Sequence, residues 1–124
     1  MRPTLRAIIR IIGLAGLTVI LHPVYFLAGS RRPKVVQAWH RAACRIAGIR
    51  VSPVGAPVRE KSTLVASNHI SYLDIPALAS RLDAVFVAKA DVSNWPAIGY
   101  LAKLAGTIFI DRETSKSASH VDAV

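Results

Sequence analysis

The feature that most constrains this chain is the stretch Ile11 to Leu21, eleven residues without a charge or a proline. It lies inside a longer apolar segment, Ala7 to Ala28, interrupted by Arg10 and by His22-Pro23. A helix that is apolar on all sides has to be covered by protein or by lipid. A spanning helix needs about 20 mostly apolar residues. This segment reaches that length only by including Arg10, His22 and Pro23. Proline lacks an N–H and clashes with the preceding turn, so Pro23 is expected to kink the helix or end it one residue earlier. Arg2, Arg6 and Arg10 precede the run, and Arg31, Arg32 and Lys34 follow it. With both flanks basic, the charges set no orientation. The reading is a helix that dips into one leaflet and returns, or lies in the interface. A full span is the alternative. A buried core helix fits less well, because a chain of 124 residues has little else to bury it against. No small-residue cleavage pattern of a signal peptide follows.

Charge separates the two halves of the chain. Residues 1–62 hold eleven basic residues and one acid, Glu60; residues 63–124 hold five basic and six acidic. The net charge of +9 therefore belongs to the N-terminal half. High basicity combined with 52% hydrophobic residues suits an anionic membrane surface. It does not suit nucleic acid, because the cations flank an apolar run instead of interleaving with aromatic residues. A single cysteine, Cys44, excludes a disulfide scaffold. His40 and Cys44 share a helix face, but two ligands do not make a zinc site, so no metal is expected.

Elsewhere the patterns alternate. Val35, Val36, Trp39, Ala42, Ala43 and Ile46 recur at helical spacing and predict a helix over 34–47, closed by Gly48. Residues 49–54 and 62–67 read as short strands. Residues 75–81 and 95–105 read as helices, the second stopped by Gly106. AVFVA at 84–88 and TIFI at 107–110 read as buried strands. The fold class is α/β: an N-terminal membrane-associated helical segment (1–32), then a partial, mostly parallel sheet with flanking helices (33–124).

Two motifs carry candidate chemistry. Asn68-His69-Ile70-Ser71-Tyr72-Leu73-Asp74 sits where a strand hands over to a helix, the place where open α/β sheets put functional groups. On one continuous helix His69 and Asp74 would lie about 140° apart. A loop entering the helix can instead fold the imidazole onto the carboxylate, which fixes the tautomer and makes a general base. The same letters also spell a capping box, with Ser71 as cap and Asp74 near the third helical position. Spacing alone leaves both readings open. Gly106-Thr107-Ile108-Phe109-Ile110-Asp111-Arg112 ends a strand in an acid and an arginine. Arg112 there can grip a phosphate or carboxylate in bidentate fashion, or simply pair with Asp111.

These two motifs, with Phe86-Val87-Ala88-Lys89 and Trp95-Pro96-Ala97-Ile98-Gly99 between them, resemble the glycerophospholipid acyltransferase family. Within it the likeness is greatest to the bacterial 1-acyl-glycerol-3-phosphate (lysophosphatidate) acyltransferases. The resemblance implies transfer of a fatty acyl group from acyl-CoA or acyl carrier protein to the free hydroxyl of a lysophospholipid, with no cofactor. It implies His69 as base, Asp74 as its orienter, and Arg112, Gly106 and Lys89 on the substrate-binding side. It implies a site at the cytoplasmic face of the cell membrane, in contact with the phospholipid surface. Related enzymes acylate other lysolipids such as lyso-ornithine lipid, which has no phosphate. The family's third motif, a Phe-Pro-Glu-Gly-like stretch, and its fourth, proline-containing motif are not among these residues. About half of a catalytic domain is therefore expected here, and the chain alone is expected to be inactive. A non-catalytic basic membrane-binding fragment is the reading from a different class.

Overall fold

The computed structural model describes residues 2–56, 63–68 and 71–111. The chain forms two compact units, Met1–Asp83 and Ala84–Val124. The first joins the N-terminal helix to everything through Asp83, because α2, introduced below, packs on both its neighbours.

Helix α1 runs Pro3–Leu27, with a proline in its first turn where a missing N–H costs nothing. It passes through Pro23 without ending, so the expected early stop does not occur. One interior proline removes a single backbone bond, and the rings of His22 and Phe26 pack across it with centroids 4.9 Å apart. At 1.5 Å per residue, 25 residues extend about 37 Å, enough to cross a hydrocarbon layer of about 30 Å. No residue of α1 is buried; Ile11, Ile12, Val19 and Ile20 are all exposed.

The chain turns at Gly29–Arg31 and returns as α2, Arg32–Ala47. The two helices form an antiparallel hairpin. Trp39 Nε1 donates to Thr18 Oγ1 at 3.1 Å, and Thr18 Oγ1 donates to Leu14 O at 2.8 Å. Nearer the open end, a Cβ placed on Gly13 would stand 3.2 Å from Ile46 Cγ2. A Cβ on Gly48 would stand 2.7 Å from Arg10 Nη2, so the Arg10 guanidinium lies over the C-terminal end of α2, where a cation is favoured.

Helix α3, Asp74–Ala79, packs against α2. The buried described side chains of this unit are small: Ala43 and Cys44 of α2, Ala79 of α3, and Ser80 at the end of α3. Arg41 Nε donates to Ser80 O at 2.9 Å, and Arg41 Nη2 donates to Gln37 Oε1 at 2.9 Å. Arg41 thus braces α3.

The second unit is a βαβ arrangement. Strand β1, Val87–Lys89, pairs in parallel with β2, Ile108–Ile110, in the register Val87↔Ile108, Ala88↔Phe109, Lys89↔Ile110. A 3-10 turn over Ala90–Asn94 and helix α4, Ile98–Leu104, make the crossover. The α/β reading holds, with strands close to where AVFVA and TIFI place them. The readings of residues 49–54 and 62–67 as strands are corrected: Ser62 lies outside the described residues, and none of the others is in a strand. A strand pattern needs a partner. Val54 and Leu64 are over nine-tenths exposed, and among the described residues no strand pairs with either segment.

Candidate active site

The residues that lead into α3 decide how Asp74 is held. Ser71, Tyr72 and Leu73 are not helical, and α3 begins at Asp74 itself. The geometric objection to a His69–Asp74 pair, which assumed one continuous helix, therefore does not apply. Ser71 N–H donates to Asp74 Oδ2 at 2.9 Å, and Asp74 N–H donates to Ser71 O at 3.0 Å. Leu73 N–H donates to Ser71 Oγ at 3.2 Å. This is most of the capping arrangement that the spacing spells, displaced by one residue on the serine side. The half-buried carboxylate is anchored by its own turn, in the first turn of a helix where negative charge is favoured. A carboxylate fixed in this way by backbone keeps one orientation, which is what an orienting partner of a base requires. His69 and Ile70 lie outside the described residues.

The other candidates belong to the second unit. Because β1 and β2 are parallel with Lys89 opposite Ile110, both strands finish at the same end of the sheet. Lys89 closes β1 there, and Asp111 follows β2 there. That end is where parallel α/β sheets collect ligand-binding groups. A shallow cavity of about 220 Å³ lies against it, lined by Val87, Ala88, Lys89 and Ile110. Lys89 is not a lone cation: its Nζ pairs with Asp91 Oδ2, with both side chains exposed. This pairing weakens any positive potential that Lys89 offers. Arg112 lies outside the described residues.

Gly106 has a clear structural task. Its φ is +75°, its N–H donates to Lys103 O at 3.0 Å, and Thr107 N–H donates to Ala102 O at 3.0 Å. That double bond closes α4 in the left-handed conformation that glycine takes without strain and aims β2 back along β1. Gly99 has a structural task that its motif marks without explaining. It is buried, and a Cβ on it would stand 2.4 Å from Ser93 O. Only glycine lets α4 approach the 3-10 turn this closely. Just before it, Ala97 has φ +57° and Ile98 N–H donates to Pro96 O, a tight reversal that sets the start of α4.

Among the described residues no group of three or more His, Cys, Asp or Glu could hold a metal ion. His40 Nδ1 donates to Val36 O at 2.8 Å, and burial holds the ring below its ordinary pKa of 6.5.

Comparison with known proteins identifies the arrangement. The family model described as Acyltransferase matches residues 44–124, which contain α3, both strands and both motifs. The chain belongs to the acyltransferase family. Among acyltransferases, the lyso-ornithine lipid O-acyltransferase of Rhizobium meliloti is 44% identical over 82 residues, covering 66% of this chain and 28% of that protein. The 1-acyl-sn-glycerol-3-phosphate acyltransferase of Neisseria gonorrhoeae is 36% identical over 67 residues, covering 54% of this chain and 26% of that protein. The lyso-ornithine lipid O-acyltransferase of Brucella abortus is 28% identical over 121 residues, covering 94% of this chain and 45% of that protein. The chain thus spans between about a quarter and just under half of these acyltransferases. No solved structure matches it.

Proposed function

We propose that this chain belongs to a membrane-associated lysolipid acyltransferase that uses His69 as general base and Asp74 as its orienter. The observation that carries the reading is the family match over 44–124, which takes in His69-x4-Asp74 and Gly106–Arg112 together. The acceptor hydroxyl attacks the carbonyl carbon of an acyl thioester, from acyl-CoA or acyl carrier protein, while His69 takes the hydroxyl proton. The tetrahedral intermediate collapses with loss of the thiolate, and the proton held by His69 returns to the leaving sulfur. The products are an acylated lipid and a free thiol. A thiolate leaves readily, so one oriented base and a stabilised oxyanion suffice. Asp74, anchored by Ser71 N–H, can hold the imidazole in one tautomer and stabilise its cation.

The acceptor class divides into two readings. Arg112, with a smaller contribution from Lys89, grips the phosphate of 1-acyl-glycerol-3-phosphate in the first. The second takes lyso-ornithine lipid, and the 44% identical relative from Rhizobium meliloti favours it. The long apolar α1 and the basic flanks support a site at the membrane surface, and the cytoplasmic face rests on the family resemblance alone.

The test uses the full-length enzyme encoded with this chain. His69→Ala is expected to abolish acyl transfer while membrane association persists; retained transfer removes His69 from the base role. Offering lysophosphatidate and lyso-ornithine lipid side by side decides the acceptor. Arg112→Gln is expected to impair the phosphate acceptor selectively. Equal loss on both acceptors overturns the phosphate contact.

A further inference from the structure

The elbow between α1 and α2 holds a groove lined by residues outside both motifs. It is a shallow, open groove with a volume of about 450 Å³. Leu21, Val24 and Leu27 of α1 and Val35 of α2 form its apolar walls, and Ala38 leaves room at its far end. Arg31 and Lys34 line the same groove. They lie at the turn and the first turn of α2, whose N–H groups no side chain caps. The positive end of α2 adds to their field. Arg32 is engaged elsewhere, with its guanidinium 5.3 Å from the Tyr25 ring centre. Residues 1–59 contain no Asp or Glu, so no nearby carboxylate in the sequence competes for these cations.

An apolar trough with two cations at one end matches one kind of molecule, an amphiphile with a hydrocarbon chain and an anionic head. We propose that the α1–α2 elbow is a stoichiometric site for one anionic glycerophospholipid. The head group meets Arg31 and Lys34, and an acyl chain lies along Leu21, Val24, Leu27 and Val35. The bound lipid fills the gap that Ala38 leaves and ties the two helices together. This site needs only the hairpin and stands or falls independently of acyl transfer.

Native mass spectrometry of the 124-residue chain in maltoside detergent tests it, with phosphatidylglycerol and phosphatidylcholine of identical chains as probes. One phosphatidylglycerol per chain is expected, saturably, and favoured over phosphatidylcholine by about thirtyfold if each cation contributes as it does at an anionic membrane surface. Arg31→Gln with Lys34→Gln should remove the preference. Ala38→Phe, which fills the groove, should reduce retention of both lipids. Circular dichroism confirms that each variant keeps its helices, and Ala38→Leu replaces Ala38→Phe if the larger ring unfolds the hairpin. Equal retention of the two lipids overturns the proposal, as does unsaturable uptake of many lipids or occupancy unchanged by groove filling. Displacement by inorganic phosphate alone would make this an anion site without a chain. A dimer whose formation blocks lipid retention would make it a self-association face. Either result overturns the proposal.

Discussion

Two glycines in the second unit look alike in sequence and do different work. At Gly106 an added Cβ meets nothing within 4 Å, so only the left-handed backbone resists substitution. Gly106→Ala is expected to cost about 1 kcal/mol in a denaturant melt. At Gly99 the same methyl meets a backbone carbonyl, which cannot swing aside as a side chain would. Gly99→Ala is expected to cost about 3 kcal/mol or to abolish folding of the βαβ unit. Equal effects at the two positions would show that the approach of α4 to the 3-10 turn is not tight in solution. His40 adds a pH dependence. Its folded pKa is lowered by burial, so the unfolded chain binds the proton more readily. Its contribution to stability is full above about pH 6.5 and is lost as pH falls through the lower, folded value. Thermal melts in detergent should therefore show lower stability at pH 5 than at pH 7.5. His40→Asn, which can still donate to Val36 O, should lessen that difference.

At the level of elements, α2 is legible in sequence because its apolar residues repeat at three and four and Gly48 ends it. The strands at 87–89 and 108–110 are legible because short β-branched and aromatic runs suit a parallel pair. The false strands at 49–54 and 63–67 share that local pattern, and only partner geometry separates the two cases. Pro23 does not act as a stop, because its local penalty is outweighed by a long helix with a partner along its length. Asp74 lay between two readings from spacing, and the structure makes it the first residue of α3 with its carboxylate bonded to Ser71 N–H, one half of the capping exchange. The partner of Arg41 was not legible, because its contact is with Ser80, 39 residues away. The hairpin itself depends on the Trp39–Thr18 bond. Thr18→Val keeps the shape but leaves Trp39 N–H without its acceptor. A double-mutant cycle with Trp39→Phe is expected to give a coupling of about 1 kcal/mol, read as melting of the hairpin. Zero coupling would assign the pairing of α1 and α2 to apolar contact alone.

For the whole molecule, the buried described residues are all small, Gly99 included, whereas many large apolar side chains of α1, Ile11, Ile12, Val19, Ile20 and Leu27 among them, stay exposed. Such a surface calls for lipid, and the charge distribution names the kind. The basic residues of the first half give attraction to anionic head groups, which falls off within a Debye length, while α1 gives an apolar contribution that salt does not screen. Association with vesicles should therefore have two parts. Vesicles containing phosphatidylglycerol should bind the chain more tightly than vesicles of phosphatidylcholine alone at low salt. The difference should shrink as salt rises, leaving a common salt-resistant binding to both. Replacing Arg2, Arg6 and Arg50 by Gln, residues away from the elbow groove, should lower the salt-sensitive part by about 1 kcal/mol for each cation at the surface and leave the resistant part unchanged. Flotation assays across a salt series measure both. Binding that vanishes completely in high salt would show that α1 does not enter the lipid, and the membrane role of the hairpin would then reduce to surface charge.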